Sequence, residues 1–171
     1  MFKYLLSAAL IATAGLARAG DRATLLETVQ SNPDLSTLAD ILETSDLTDT
    51  LAEDGPFTFY APTDAAFAAM PEGTLAALQL PENADRLADI LLYHVDDRKL
   101  TSRHFAPGAA YYRPILADTR LCVINADGVT IEDGSGVIAT VTEANIKVSN
   151  GVIHLIDKVL VPAEKPDCEM S

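Results

Sequence analysis

Basic residues are scarce in this chain. Its 171 residues include 12 Lys and Arg against 25 Asp and Glu, a formal net charge of −13. A surface so acidic repels nucleic acid and anionic lipid, which makes both poor partner candidates. Cysteine is rarer still: Cys122 and Cys168 are the only two, so a single intramolecular bridge is all the chain can make. Its three histidines, His94, His104 and His154, are scattered, whereas a metal site needs them clustered with carboxylates. Asp96, Asp97 and His104 come nearest to such a group, and they read as a solvated loop. No Gly-x-Ser-x-Gly elbow, phosphate-binding glycine loop or dinucleotide fingerprint occurs. We therefore expect no catalytic residues, no metal and no cofactor. After the first residues no long apolar run follows, so no membrane span is expected in the mature protein.

What is present begins with "MFKYLLSAALIATAGLARAGD". Lys3 is a minimal charged start, Leu5 to Leu16 is apolar, and Ala17-Arg18-Ala19 is a small-x-small cleavage site. That order is the order of a secretory signal peptide; an uncleaved anchor or a buried helix is the alternative. The reading divides the chain into a leader over 1–19, one domain over 20–162 and a polar tail over 163–171. Cleavage after Ala19 removes Lys3 and Arg18, leaving 10 basic residues and a net charge near −15. The protein is then secreted or periplasmic, where an even cysteine count suggests a Cys122–Cys168 disulfide. The alternative is one buried thiol in a strand and one free thiol in the tail.

The first half of the mature chain reads as helices. Asn32-Pro33 starts one, with Leu35, Leu38, Ala39 and Leu42 as its stripe. Ser45 is expected to cap a second, which holds Leu47 and Leu51 and stops at Asp54-Gly55-Pro56. Phe57 to Ala61 reads as a buried strand. Thr63 then caps a short helix with Phe67 and Met70, and Leu75 and Leu78 mark another. A longer helix follows from about Pro81 to Leu92, with Ala84, Leu87, Ala88 and Leu91 facing inward and Glu82 paired with Arg86 outside. Beyond "LLYHV" the composition turns to short β-branched runs. Asp127-Gly128, Gly134-Ser135-Gly136 and Asn150-Gly151 separate "RLCVIN", "VTIED", "VIATV", "NIKVS", "VIHLI" and "KVLVP". Helices first and strands after, on one core, predict an α+β domain.

Three stretches, in order, resemble the motifs of the fasciclin domain family. "GPFTFYAPTDAAFAAMPEG" (residues 55–73) resembles its first box, "LLYHV" (91–95) its tyrosine-histidine motif, and "SNGVIHLIDKVLVP" (149–162) its second box. The resemblance covers roughly Asp21 to Pro162. It implies a fasciclin-like wedge of β-strands flanked by several short helices, with the two boxes side by side in the core. It also implies an exported adhesion or matrix-interaction module without family-wide catalytic residues. The partner would be a cell-surface or matrix protein or a polysaccharide. The chain departs from the pattern after Tyr93-His94, where Asp96-Asp97-Arg98 replaces a proline-glycine turn, and over Tyr111 to Cys122.

The candidate residues fall into two groups. Tyr93, His94, Asp96, Asp97 and Arg98 form the expected contact surface, with His94 open to a second reading as a ring packed in the core. Thr63, Asp64, Asn150, Gly151, His154 and Asp157 are expected to be structural: the first two as helix caps, Asn150 and Gly151 as a turn, His154 as a buried strut, and Asp157 as a backbone acceptor at a strand end. The competing reading of function is a periplasmic small-ligand-binding protein, which requires a sizeable apolar pocket. Oligomeric state is not legible.

Overall fold

The computed structural model describes residues 22–45 and 47–168; the leader read over 1–19 lies outside them. Helix α1 (Leu25–Ser31) opens the described chain through a reciprocal cap. Thr24 Oγ1 accepts from the Glu27 amide at 3.2 Å, and the Glu27 carboxylate accepts from the Thr24 amide at 2.7 Å. The sequence reading began at Asn32 and missed this helix, although Thr24-x-x-Glu27 before an apolar run is its signature. Asn32 caps a one-turn 3-10 helix over Pro33–Leu35, which runs into α2 (Ser36–Thr44). Leu38, Ala39, Ile41 and Leu42 bury its inner face.

Ser45 does not cap α3 (Thr48–Ala52). Its hydroxyl donates back to the Leu42 carbonyl and closes α2. Helices α4 (Asp64–Ala68), α5 (Thr74–Leu78) and α6 (Ala84–Tyr93) follow. On α6 the buried face is Ile90, Leu91 and Tyr93, with Leu87 half-buried, while Ala84 is exposed. Of the expected stripe, Leu87 and Ala88 are half-buried and Leu91 is buried, and only Ala84 falls outside it, because α6 packs by its C-terminal half. No Glu82–Arg86 ion pair forms among the described residues.

Seven strands make one mixed sheet in the order β2-β1-β7-β6-β5-β4-β3. They are β1 (Phe57–Pro62), β2 (Val95–Asp96), β3 (Gly108–Tyr112), β4 (Leu121–Asn125), β5 (Val129–Glu132), β6 (Ile138–Val148) and β7 (Gly151–Ile156). β1 and β7 run parallel with Tyr60 opposite His154; every other pair is antiparallel. All six residues of both β1 and β7 are buried, so both faces of this pair are covered and the sequence reads as continuous apolar runs. Phe57, Phe59, Ala61, Ile153 and Leu155 face a core shared with the helices. Tyr60 and Ile156 face a second core with Tyr93, Phe105, Tyr112, Leu121 and Ile131, inside the curl of the sheet. The curl makes a half-barrel, and the Ile115 amide donates to the Val95 carbonyl at 2.7 Å, tying the segment after β3 to β2.

Two late segments differ from the sequence reading. "VIATV" and "NIKVS" form one long strand, β6, interrupted by register shifts around Glu143. "KVLVP" is irregular. Its amides are spent on side chains: Leu160 N–H donates to His94 and Val161 N–H to Asp133, so no ladder is left to form.

Candidate functional site

The two buried histidines hold the fold at different points. His154, in β7, is fully buried. Its Nε2–H donates to the Leu100 carbonyl at 2.7 Å and its Nδ1 accepts from the Asn145 amide at 3.3 Å. The ring lies 5.9 Å from that of Tyr60 and 5.5 Å from that of Phe105. His94 follows α6. Its Nδ1–H donates to the Ile90 carbonyl at 2.7 Å, and its Nε2 accepts from the Leu160 amide at 3.0 Å. Each ring thus has one donor and one acceptor in use, which fixes a neutral tautomer. Burial pushes the His94 imidazole down to about 4 and lowers His154 as well. Neither ring has a nitrogen free for a metal or a partner.

Tyr93 is also fully buried. Its hydroxyl donates to the Arg120 carbonyl at 2.7 Å and accepts from the Gly134 amide at 3.3 Å, and burial raises it to about 12. Asp96 is 1% exposed. Arg98 grips it with a fork, Nε to Oδ1 at 2.7 Å and Nη2 to Oδ2 at 2.6 Å, and the Arg98 amide adds a third bond at 3.1 Å. Of the five residues expected to form a contact surface, Tyr93, His94 and Asp96 are therefore inside. Their polar atoms are committed to backbone or to Arg98, and a partner cannot reach them. Asp97 and Arg98 remain outside, with side chains 77% and 49% exposed.

Beside Asp97 a groove of about 440 Å³ runs between α3 and the segment after β3. Phe57 and Ile115 contribute apolar surface, Glu53, Asp97 and Asp118 line it with acid, and Arg113 is its one base. Asp96, Asp97 and His104 do not make a metal site. Asp96 is held by Arg98, and His104 Nδ1 accepts from the Thr101 amide. Among the described residues no group of three His, Cys, Asp or Glu is placed to hold an ion.

The comparisons with known proteins fit this geometry. The fasciclin domain family profile matches residues 33–162. The chain belongs to the fasciclin family. It is 41% identical over 139 residues to Protein sll1483 of a Synechocystis strain, covering 81% of this chain and 73% of that protein. It is 31% identical over 160 residues to human periostin, covering 89% of this chain and 18% of the larger protein. Among solved structures, a FAS1 domain pair from the insect cell adhesion molecule fasciclin I superposes with a TM-score of 0.58 at 22% identity. That match covers 74% of this chain and 45% of the other; it supports the fold alone. The family is generally of a non-enzymatic, adhesion type.

Within this fasciclin domain the two boxes supply β1 and β7, adjacent and parallel. The box residues lock the pair. Asn150 Oδ1 accepts from the Leu25 amide at 2.8 Å, and its Nδ2 donates to the Leu51 and Glu53 carbonyls, both at 2.9 Å. Asn150 therefore ties α1 and α3 to the sheet, beyond any service to the turn. The turn itself is Ser149-Asn150, and Gly151 is the residue after it. It opens β7, where a Cβ would collide with the Phe57 carbonyl. Asp64 caps another helix: its carboxylate accepts from the Thr37 amide at 2.8 Å and from the Ser36 hydroxyl at the start of α2, and these bonds hold it below the usual carboxylate range against the opposing effect of burial. Thr63 stands at the start of α4 without a capping bond; its hydroxyl reaches the Ile156 carbonyl at 3.5 Å. Asp157 accepts from the Thr140 amide at 2.7 Å, at the end of β7.

Sequence reading missed Asp133. It is fully buried, and its carboxylate collects four bonds: Ser135 N and Oγ and Val137 N on Oδ1, and Val161 N on Oδ2. The signal was the Asp-Gly-Ser-Gly run, where an aspartate commonly bonds its own turn. Cys122 and Cys168 are joined in a disulfide. The tail it anchors also receives the Tyr111 hydroxyl, which donates to the Pro166 carbonyl at 2.8 Å, while Lys165 sits 4.0 Å above the Tyr111 ring.

Proposed function

We propose that this fasciclin domain is an exported, non-catalytic adhesion module that binds a cell-surface or matrix protein or polysaccharide through the Asp97 groove. The observation that carries the reading is the contrast at the Asp96-Asp97-Arg98 turn. Asp96 is buried and gripped, which holds the turn in one conformation, and Asp97 is presented beside an open groove with an apolar floor and an acidic rim. A pre-organised, partly apolar surface loses little freedom on binding. Export is supported by the leader pattern at the start of the sequence and by the Cys122–Cys168 bridge, since disulfides persist in oxidising compartments. Among the described residues no helix is long and apolar enough to cross a membrane.

The small-ligand reading is disfavoured by the lack, among the described residues, of a sizeable apolar chamber between the helices and the sheet. The apolar space between the helices and the sheet, walled by Leu38, Phe59, Phe67 and Leu91, holds about 10 Å³, whereas ligand pockets run to about 300–1,000 Å³. The test is adhesion or aggregation of cells that carry or lack the gene, with complementation by wild type and by Asp97→Asn. Loss on deletion and rescue by wild type support the module; equal adhesion with and without the expressed protein refutes it. Full rescue by Asp97→Asn removes Asp97 from the contact.

A further inference from the structure

We propose that a second cleft, away from the Asp97 groove, binds a compact oxyanion: a sulfate, phosphate or carboxylate group. The cleft lies between the Ser102–His104 turn and the bulged part of β6. It encloses about 250 Å³ and is lined by Thr101, Ser102, Arg103, Asn145 and Lys147. Against a net charge of −13, this lining has two cations and no carboxylate. Neither Arg103 nor Lys147 has an acidic partner within 4.0 Å among the described residues, where the ion pairs belong to Arg98. Glu143, the one acid on β6, is not part of the lining.

The cleft is a built feature of the backbone. The Ser102 amide donates to Asn145 Oδ1 at 2.7 Å, and Asn145 Nδ2 donates to Ser102 Oγ at 2.8 Å, so two bonds staple the turn to the strand. Asn145 holds φ at 65°, a left-handed conformation that asparagine tolerates better than most residues. Its own amide donates to His154, which ties the cleft to the core. The Ser102 hydroxyl accepts from Asn145, and its proton has no acceptor among the described residues, leaving a donor beside the two cations.

These groups match an oxyanion better than a neutral ligand. A guanidinium presents a fork to two oxygens, an ammonium adds a point charge, and a hydroxyl supplies a further donor. A water occupies about 30 Å³, so the cleft is several waters deep and takes the anion with part of the group that carries it. The acidic remainder of the surface sets the selectivity. Charges beyond about 8 Å are screened at physiological salt, so they do not cancel the local pair of cations. They do repel the flanks of a long polyanion, and short or terminal anionic groups are favoured.

This inference does not rest on the adhesion reading, and its test involves no cells. Amide NMR spectra of the purified protein are followed during separate titrations with sodium sulfate, phosphate and acetate at low ionic strength. Sodium chloride at matched ionic strength is the control, and comparison of the three arms assigns the anion class. At least one oxyanion is expected to give saturating shifts at Ser102, Arg103, Asn145 and Lys147 that chloride does not. The double variant R103Q/K147Q, at two exposed positions, should retain the folded spectrum and bind at least about tenfold more weakly. Shifts that fail to saturate in all three arms, or that match chloride, overturn the proposal. Undiminished affinity in the double variant overturns it as well. In a second experiment, a monosaccharide sulfate should compete better than a long sulfated polysaccharide per sulfate group; the reverse overturns the selectivity for short anions.

Discussion

His154 Nε2 stands 2.7 Å from the carbonyl oxygen of Leu100, a residue 54 positions earlier in the chain. That bond joins the inner strand β7 to the loop that carries the Asp97 turn into the second core. The same ring accepts from Asn145, so one side chain fastens both the loop and the irregular part of β6.

Replacing His154 by alanine leaves the Leu100 carbonyl and the Asn145 amide unpaired and opens a void beside Tyr60 and Phe105. Each unsatisfied group costs about 1–3 kcal/mol. We expect the urea midpoint to fall with little change in slope, and the spectra of Ser102 and Asn145 to shift. An unchanged midpoint would show that the ring is dispensable.

Stability should decline in acid on account of the histidines. The His94 ring has a folded value near 4 against an ordinary value of 6.5, because burial disfavours its charged form. Between these values the unfolded chain binds the proton and the folded chain does not. The contribution is therefore complete above about pH 6.5 and is lost as pH falls toward 4, at about 3 kcal/mol in all. His154, shifted in the same direction, adds to the slope. Chemical denaturation at a series of pH values checks this, and a flat profile from pH 7 to 4 contradicts it.

Asp133→Asn should be damaging despite its small change in shape. The amide can still accept on one atom, but its NH₂ then faces a backbone donor, either Val161 N–H or the Ser135 and Val137 group. Loss of a buried acceptor costs about 1–3 kcal/mol. The expected readout is a lower melting temperature together with faster amide exchange at Val161.

Reduction of Cys122–Cys168 should lower stability by about 4 kcal/mol, the chain-entropy figure for a loop of 46 residues. Melting with and without reductant, alongside Cys168→Ser, measures it. If reduction leaves the melting temperature unchanged, the bridge contributes nothing to the folded domain.

Asp97→Asn and Arg98→Ala should separate surface from scaffold. Asp97 is exposed and its removal should change stability by no more than about 0.5 kcal/mol. Arg98→Ala strands the buried Asp96 carboxylate and should cost several times that. Denaturation of the two variants decides; equal costs would contradict the division.

Much of this architecture was legible from residues alone. The helix starts at Asn32-Pro33, the hairpin at Asp127-Gly128 and the buried strands follow from capping, turn chemistry and apolar runs. The three long motifs were enough to place the two boxes together. What escaped was long-range polar wiring. Tyr93 and Asp96 look like surface residues in a charged stretch, and only the packing of α6 and the grip of Arg98 put them inside, whereas His94 takes the second reading open to it, a ring packed in the core with both nitrogens bonded. Asn150 and Gly151 look like a turn; Asn150 does stand in one, with Ser149, but its side-chain partners lie in α1 and at the end of α3, and Gly151 opens β7 and is small because Phe57 passes beside it. Three of the four Asp133 bonds are local and follow from the Asp-Gly-Ser-Gly turn, and only the fourth, from Val161 beyond two intervening strands, has no local sign. Local patterns report local structure, and these residues answer to neighbours far away in the chain.

The parallel β1–β7 pair carries a consequence for how the molecule comes into being. Phe57 meets Gly151 and Pro62 meets Ile156, each 94 positions further along, so this inner pair of the sheet waits for a segment made long after β1. Non-local pairings of this kind form slowly. Until β7 emerges, β1 has no partner on that flank and the Asn150 staple to α1 and α3 does not exist. The two halves of the sheet, β2-β1 on one side and β6-β5-β4-β3 on the other, are therefore joined only when β7 enters between them.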